Sequence, residues 1–188
     1  MPLTVPPPPP HTAVLRFCTS EQIGSKLIRL ATGYGLRYLW ETPSHCEAVV
    51  PDPEFGHAII AAQTSYVDGA PDPGVRRFKP SYDFWSSWQV FVHFQMAPDM
   101  HRAWIGFLWD KCGSPFDSGA FYGFVIPWLN EHEKGAMDCM ALQMAALQGC
   151  GRWEKPFSKE YCAVSPAIGL LLTQADQQCV ELPPERTS

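Results

Sequence analysis

Charge is scarce in this chain: 18% of its 188 residues are Asp, Glu, Lys or Arg, and the net charge is −5. The basic residues are scattered apart from Arg76, Arg77 and Lys79, so no electrostatic footprint for nucleic acid stands out. Long apolar runs are missing too. None approaches the roughly 20 residues that a membrane-spanning helix needs, and the N-terminus lacks the basic-then-apolar layout of a signal peptide. These absences lead to the expectation of a soluble protein made in the cytoplasm. The seven cysteines, at positions 18, 46, 112, 139, 150, 162 and 179, include no CxxC pair, and an odd number cannot all pair in one chain. A disulfide scaffold is therefore not expected; two or three of these thiols read as ordinary small core residues, and at most one or two are expected to be chemically special.

Apolar residues make up 46% of the chain, enough for one globular domain with a real core and too short a chain for two ordinary domains. Residues 1–12 hold an unbroken run, Pro6 to Pro10. That run excludes helix and central strand, so the segment is expected as an extended polyproline II arm, a tail or a docking segment for a partner protein. The domain proper is expected over residues 13–188.

The segment after Ser20 places Ile23, Leu27, Leu30 and Ala31 at helical spacing, with Gly33 as a stop, which predicts a first helix over about residues 20–32. HCEAVVP and HAIIAAQTS flank the turn-forming DPEFG and predict an antiparallel hairpin. Period-two alternation sets His45, Glu47 and Val49 on one face of its first strand. The same rule groups His57, Ile59, Ala61 and Gln63 on one face of the second. WQVFVHFQM predicts a third, central strand, and residues 101–112 a helix. FYGFVIPWLNEH, interrupted by Pro127, fits no single element. Residues 138–149 predict a helix with Asp138 as cap and Gly149 as stop. A last helix is expected over about 165–176, opened by Ser165 and Pro166.

The chemistry concentrates on Cys139. A cysteine in the first turn of a helix has its thiolate favoured by unpaired N–H groups and the helix dipole. The adjacent Asp138 disfavours it, so an imidazolium is needed nearby. His45 opens a strand after the polar Thr42-Pro43-Ser44 stretch, where the strand holds an imidazole rigidly. Cys46 points away from His45, Cys150 lies beyond a helix end, and His57, His93, His101 and His132 have less context.

Four local features, in order over about 150 residues, resemble circularly permuted NlpC-type cysteine hydrolases of the papain-like class, in particular phage and prophage versions. IGSKLIRLATGYG leads into Ser44-His45-Cys46-Glu47-Ala48-Val49-Val50, similar to the SHxExV strand that carries the family's catalytic histidine. A hairpin partner strand ends in a turn like Gly74-Val75-Arg76, with Tyr82 shortly after. Gly113-Ser114-Pro115-Phe116-Asp117 is similar to a G-x-P-[YF]-D segment. Asp138-Cys139-Met140-Ala141-Leu142, followed by Ala163-Val164-Ser165-Pro166, resembles a CSExxA helix and a helix initiated by Ser-Pro.

The resemblance implies an α+β chain with a permuted papain-like fold, a small antiparallel sheet packed against helices. It implies Cys139 as nucleophile and His45 as general base, with neither metal nor other cofactor. The family's polar residues after the nucleophile are replaced here by Met140 and Ala141. Relatives carry a polar third residue on the strand after the histidine strand, which points to Gln63. Glu47, His57 and Ser44 are candidates for substrate contact or for orienting the base. The implied reaction is hydrolysis of a peptide or amide bond, with peptidoglycan stem peptides as substrate and a site of action in a virion or at the cell envelope. A docking component of a phage tail that keeps the fold without the activity, joined through the proline arm, is the alternative from a different class. A lipid acyl hydrolase or transferase is a third.

Overall fold

The computed structural model describes residues 5–20, 26, 28–29, 42–63, 73–81, 86–119, 135–153, 165–175 and 179–181. Strand β1, Thr12–Ser20, is the element around which the sheet assembles. It pairs antiparallel with β2, His45–Asp52, on one side and with β5, Ser86–Gln95, on the other. Outward from β2 lie β3, Gly56–Gln63, and β4, Gly74–Phe78; beyond β5 lies the short β6, Cys179–Glu181. The sheet order is β4-β3-β2-β1-β5-β6, and each described pairing is antiparallel.

Alternation along β1 divides the sheet into two faces. Ala13, Leu15 and Phe17 join Cys46, Ala48, Val50, Ala58, Ile60, Val90 and Val92 in the main core. Three helices supply the other half of that core's framework: α1, Pro98–Lys111, α2, Cys139–Gly149, and α3, Pro166–Ala175. Trp104 and Leu108 of α1, Met140, Leu142, Met144 and Leu147 of α2, and Leu170 of α3 all pack there. On the opposite face Val14, Val49, Ile59, Ala61, Phe78 and Phe91 form a second cluster, and Val5 of the proline arm completes it. The architecture is α+β, an antiparallel sheet packed against helices.

The arm thus places one residue, Val5, on the sheet's own second face. Val5 is buried while Pro6, Pro7, Pro9 and Pro10 remain exposed, and the Val5 carbonyl lies 2.9 Å from His57 Nε2. Thr12, placed in the arm by the sequence reading, is the first residue of β1.

The hairpin forms where expected. Asp52 Oδ1 accepts the amides of Glu54 and Phe55 at 2.9 Å each and Arg77 Nη2 at 2.8 Å, which closes the turn and ties it to β4. Helix α1 begins three residues earlier than predicted because Pro98 occupies its first turn, where a missing N–H costs nothing. Helix α2 has Asp138 as its N-cap and runs through Gly149, with Cys150 rather than Gly149 at its C-cap. Ser165 Oγ accepts the Ile168 amide at 3.3 Å and caps α3. In α3, Gly169 lies against the Met140 side chain, so a residue with a Cβ there would collide with it.

Three expectations need correction. Ser20 closes β1 instead of opening a helix; Lys26, Ile28 and Arg29 are helical, and the remaining positions of that predicted helix lie outside the described residues. Strands β1, β4 and β6 had not been anticipated, so the expected central strand is the fifth in chain order, interior between β1 and β6. Gly74-Val75-Arg76 opens β4 and is not a turn ending the preceding strand. Tyr82, residues 121–132 and Ala163-Val164 lie outside the described residues.

Candidate active site

At one end of the sheet β1 finishes, β2 begins and β3 finishes. Cys18 and His45 are cross-strand partners there. The β2–β3 register pairs Ala48 with Ile60, and carried three residues further it sets His45 opposite Gln63. Side chains so placed are in direct reach of one another, and Gln63 Nε2 lies 2.9 Å from His45 Nε2.

Cys139 reaches the same point from the first position of α2. The helix packs on the face that carries Cys46 and Ala48, whereas alternation assigns His45 and Glu47 to the other face. Sulfur and imidazole meet because each sits at the end of its element. The thiol is near enough to the ring to raise its basicity by charge and by hydrogen bonding. Gln63 and Glu47 both stand against Nε2, an arrangement that suits a sulfur contact on the Nδ1 side of the ring. Burial alone would push the His45 imidazole down; the charge and hydrogen bond of Cys139, with Glu47 behind the ring, raise it from 6.5 to about 10. Both residues are nearly covered, His45 and Cys139 each keeping 7% of their surface.

The loop before α2 fixes the helix start. Gly74 meets this loop so closely that a Cβ would fall 2.5 Å from the Ser114 carbonyl oxygen. The Val75 amide donates to that oxygen at 2.9 Å, and the Gly113 amide donates to the Val75 carbonyl at 2.9 Å. Phe116 then bridges Met137, with Met137 N–H donating to Pro115 O at 2.9 Å. Gly74-Val75 and Gly113 to Asp117 therefore meet in space and deliver the chain to Asp138. Asp138 Oδ1 accepts the amides of Met140 and Ala141 at 2.8 Å each. The Cys139 N–H is then the amide at this helix end available to a developing oxyanion.

Beneath the pair runs a buried polar row that sequence reasoning located only in part. Arg16 Nη1 donates to Glu47 Oε2 at 3.0 Å, and Arg16 Nε donates to Gln89 Oε1 at 2.8 Å. Glu47 Oε1 lies 3.5 Å from His45 Nε2, an ion-pair separation. Burial pushes the Glu47 carboxyl up, but Arg16 and then His45 hold it below its ordinary value. Burial also raises the thiols of Cys18 and Cys46 well above the ordinary range. Arg16 was missed because no motif marks it; the one available signal was a charged residue inside the apolar run from Ala13 to Cys18.

Of the six residues singled out from sequence, the structure brings Cys139, His45 and Gln63 together. Glu47 is fully enclosed, so it meets the ring and not a substrate. Ser44 is buried, its amide donating to Cys18 O at 3.0 Å, which extends the β1–β2 pairing to the residue before His45. His57 is not part of the site. It pairs with Pro51, six residues along β2 from His45, a distance of ~20 Å at strand spacing, and it contacts the proline arm instead.

Among the described residues no group of three or more His, Cys, Asp or Glu could hold a metal ion, and no helix is long and apolar enough to cross a membrane. Cys18, Cys46, Cys112, Cys139 and Cys150 are free thiols. No protein-family model matches the chain, and no curated protein matches it.

Proposed function

We propose that this chain is a cysteine hydrolase that cleaves a peptide or amide bond, with Cys139 as nucleophile and His45 as general base and acid. The observation that carries the reading is the nearness of a thiol at a helix N-terminus to an imidazole whose Nε2 is held by Gln63 at 2.9 Å. Nucleophile, base and orienting group are the three parts such catalysis needs. Chain order adds support: the histidine strand precedes the cysteine helix, as in the permuted papain-like class that the sequence resembles.

In the reaction the proton shared by the pair rests on His45, and the Cys139 thiolate attacks the amide carbonyl carbon. The C–N bond breaks as His45 returns the proton to the leaving amine. Water, deprotonated by His45, then attacks the acyl-thioester, releases the acid and restores the thiol. The Cys139 N–H faces the developing oxyanion.

The replacement of polar residues by Met140 and Ala141 is compatible with activity. Met140 is wholly buried, packed in the core and against Gly169, so it serves the helix and not the substrate. Peptidoglycan stem peptides are the substrate class suggested by the resemblance. Purified peptidoglycan incubated with the chain and read by mass spectrometry should yield new termini, and Cys139→Ala should yield none. Equal and slow alkylation of Cys139 and Cys112 at neutral pH, unchanged in His45→Ala, would refute the hydrolase and favour a structural component. A reactive Cys139 that leaves peptidoglycan intact and becomes acylated by phospholipid would redirect the substrate class to lipids.

A further inference from the structure

The Nε2 atom of His45 faces two groups that make opposite demands. The Gln63 amide nitrogen stands 2.9 Å away and needs a bare ring nitrogen to donate to. Glu47 Oε1 stands 3.5 Å away and needs a proton there. Glu47 has no solvent contact, and its Oε1 has no hydrogen-bond partner of good geometry. Its other oxygen is pinned by Arg16, which Gln89 holds in turn. The backbone sets this aim: Arg16 and Glu47 are direct cross-strand partners, and Glu47 follows His45 by two residues on the same face.

The two demands differ in strength and in freedom. A hydrogen bond to a carboxylate is about twice as strong as one between neutral groups. A carboxylate beside a bare ring nitrogen is repulsive and, with Arg16 in place, stays charged. A glutamine amide presents oxygen in place of nitrogen by turning about its last torsion. The carboxylate therefore decides and the amide follows.

We propose that Glu47, anchored by Arg16, is a positioning residue that keeps the proton of neutral His45 on Nε2 and leaves Nδ1 bare toward the Cys139 sulfur, with Gln63 turning its oxygen to the Nε2 proton. The inference rests on the reading of Cys139 and His45 as the reacting pair. The thiol proton then passes to Nδ1, giving an imidazolium whose Nε2–H stays on Glu47 and Gln63. The raised His45 and lowered Glu47 run in the direction this requires. Among the described residues, the ionisable groups interacting with this pair come from three elements: Glu47 and Cys46 on β2, Arg16 and Cys18 on β1, and Cys139 on α2.

The test uses the full chain, ¹⁵N-labelled and carrying Cys139→Ser, so that the readout does not depend on a reactive thiol. Ring proton–nitrogen correlations report the His45 tautomer and its titration midpoint. The Nε2–H tautomer is expected. Glu47→Gln should lower the midpoint by about 1–3 pH units and move the population toward Nδ1–H, whereas Gln63→Ala should leave the proton on Nε2. Should Glu47→Gln fail to fold, Arg16→Met with Glu47→Leu removes the pair without stranding a charge and should give the same shift. An Nδ1–H tautomer with Glu47 present, or a Glu47→Gln shift below about half a pH unit, overturns the proposal. Failure of the hydrolase reading has a different signature: in the Cys139 protein, alkylation no faster than at Cys112, with the ring tautomer unchanged.

Discussion

Replacing Glu47 by Gln tests the buried polar row as a structural element as well as a chemical one. Arg16 and Glu47 keep 1% and 0% of their side-chain surface and stand 3.0 Å apart. The substitution leaves a guanidinium in the interior facing neutral acceptors such as the Gln89 amide oxygen. Breaking a buried pair from one side costs about 3–5 kcal/mol, because the surviving charge is not returned to water. Glutamine keeps the shape and one hydrogen bond to Arg16, which places the expected loss near the lower limit, about 3 kcal/mol. For a chain of this size that lowers Tm by about 6–12 °C, and a stability of ordinary magnitude, about 5–15 kcal/mol, absorbs it. Arg16→Met combined with Glu47→Leu strands no charge and should fall within about 1 kcal/mol of the parent. Urea unfolding at pH 7, followed by tryptophan fluorescence with m held constant across the set, measures all of the terms. The reasoning fails if Glu47→Gln costs under about 1 kcal/mol, or if the double variant loses as much stability as Glu47→Gln does.

Asp138→Ala removes the acceptor of two α2 amides and should cost about 1–2 kcal/mol, with slower alkylation of Cys139 as the helix start frays. Gly74→Ala sets a methyl group against the Ser114 carbonyl and should destabilise by more than about 1 kcal/mol; unchanged thermal stability would refute the requirement for glycine at this contact. Val5→Ala trims the residue that closes the second cluster and should cost about 1–2 kcal/mol, measured by the same urea titration, with Pro7→Ala as an exposed control that changes little. Stability should peak between about pH 4.5 and 6.5. Below 4.5 the unfolded Glu47 gains a proton that the folded carboxylate resists, so its contribution is lost as pH falls through the lowered folded value. The raised His45 contributes fully below 6.5 and loses its contribution as pH rises toward about 10, and Cys139→Ser should flatten that alkaline limb while leaving the acid limb in place.

Much of the site could be read directly from residue types and spacing. Asp138 before an apolar helix, the DPEFG turn between two apolar runs, and the parity that joins Gln63 to the His45 face each reflect a local rule, and each is met in the structure. His57 obeyed the same parity and was misplaced. Parity assigns a face, but only the pairing register says where along a strand a side chain stands. Strand β1 escaped notice because both of its faces are covered, which replaces the usual alternation with a nearly continuous buried run.

The amino-acid sequence by itself determined the Asp138 cap that precedes Cys139, the hairpin that opens with His45, and the low charge of the chain, since these depend on neighbours within a few residues. Only the tertiary structure decided that Arg16 stands beside Glu47, that Val5 of the proline arm sits on the second face, and that a helix on one side of the sheet brings its terminal sulfur to an imidazole assigned to the other. Those contacts join positions separated by 31, 52 and 94 residues. Which distant side chains meet is set by strand order and register, and these follow from burial of the whole chain and not from any segment of it.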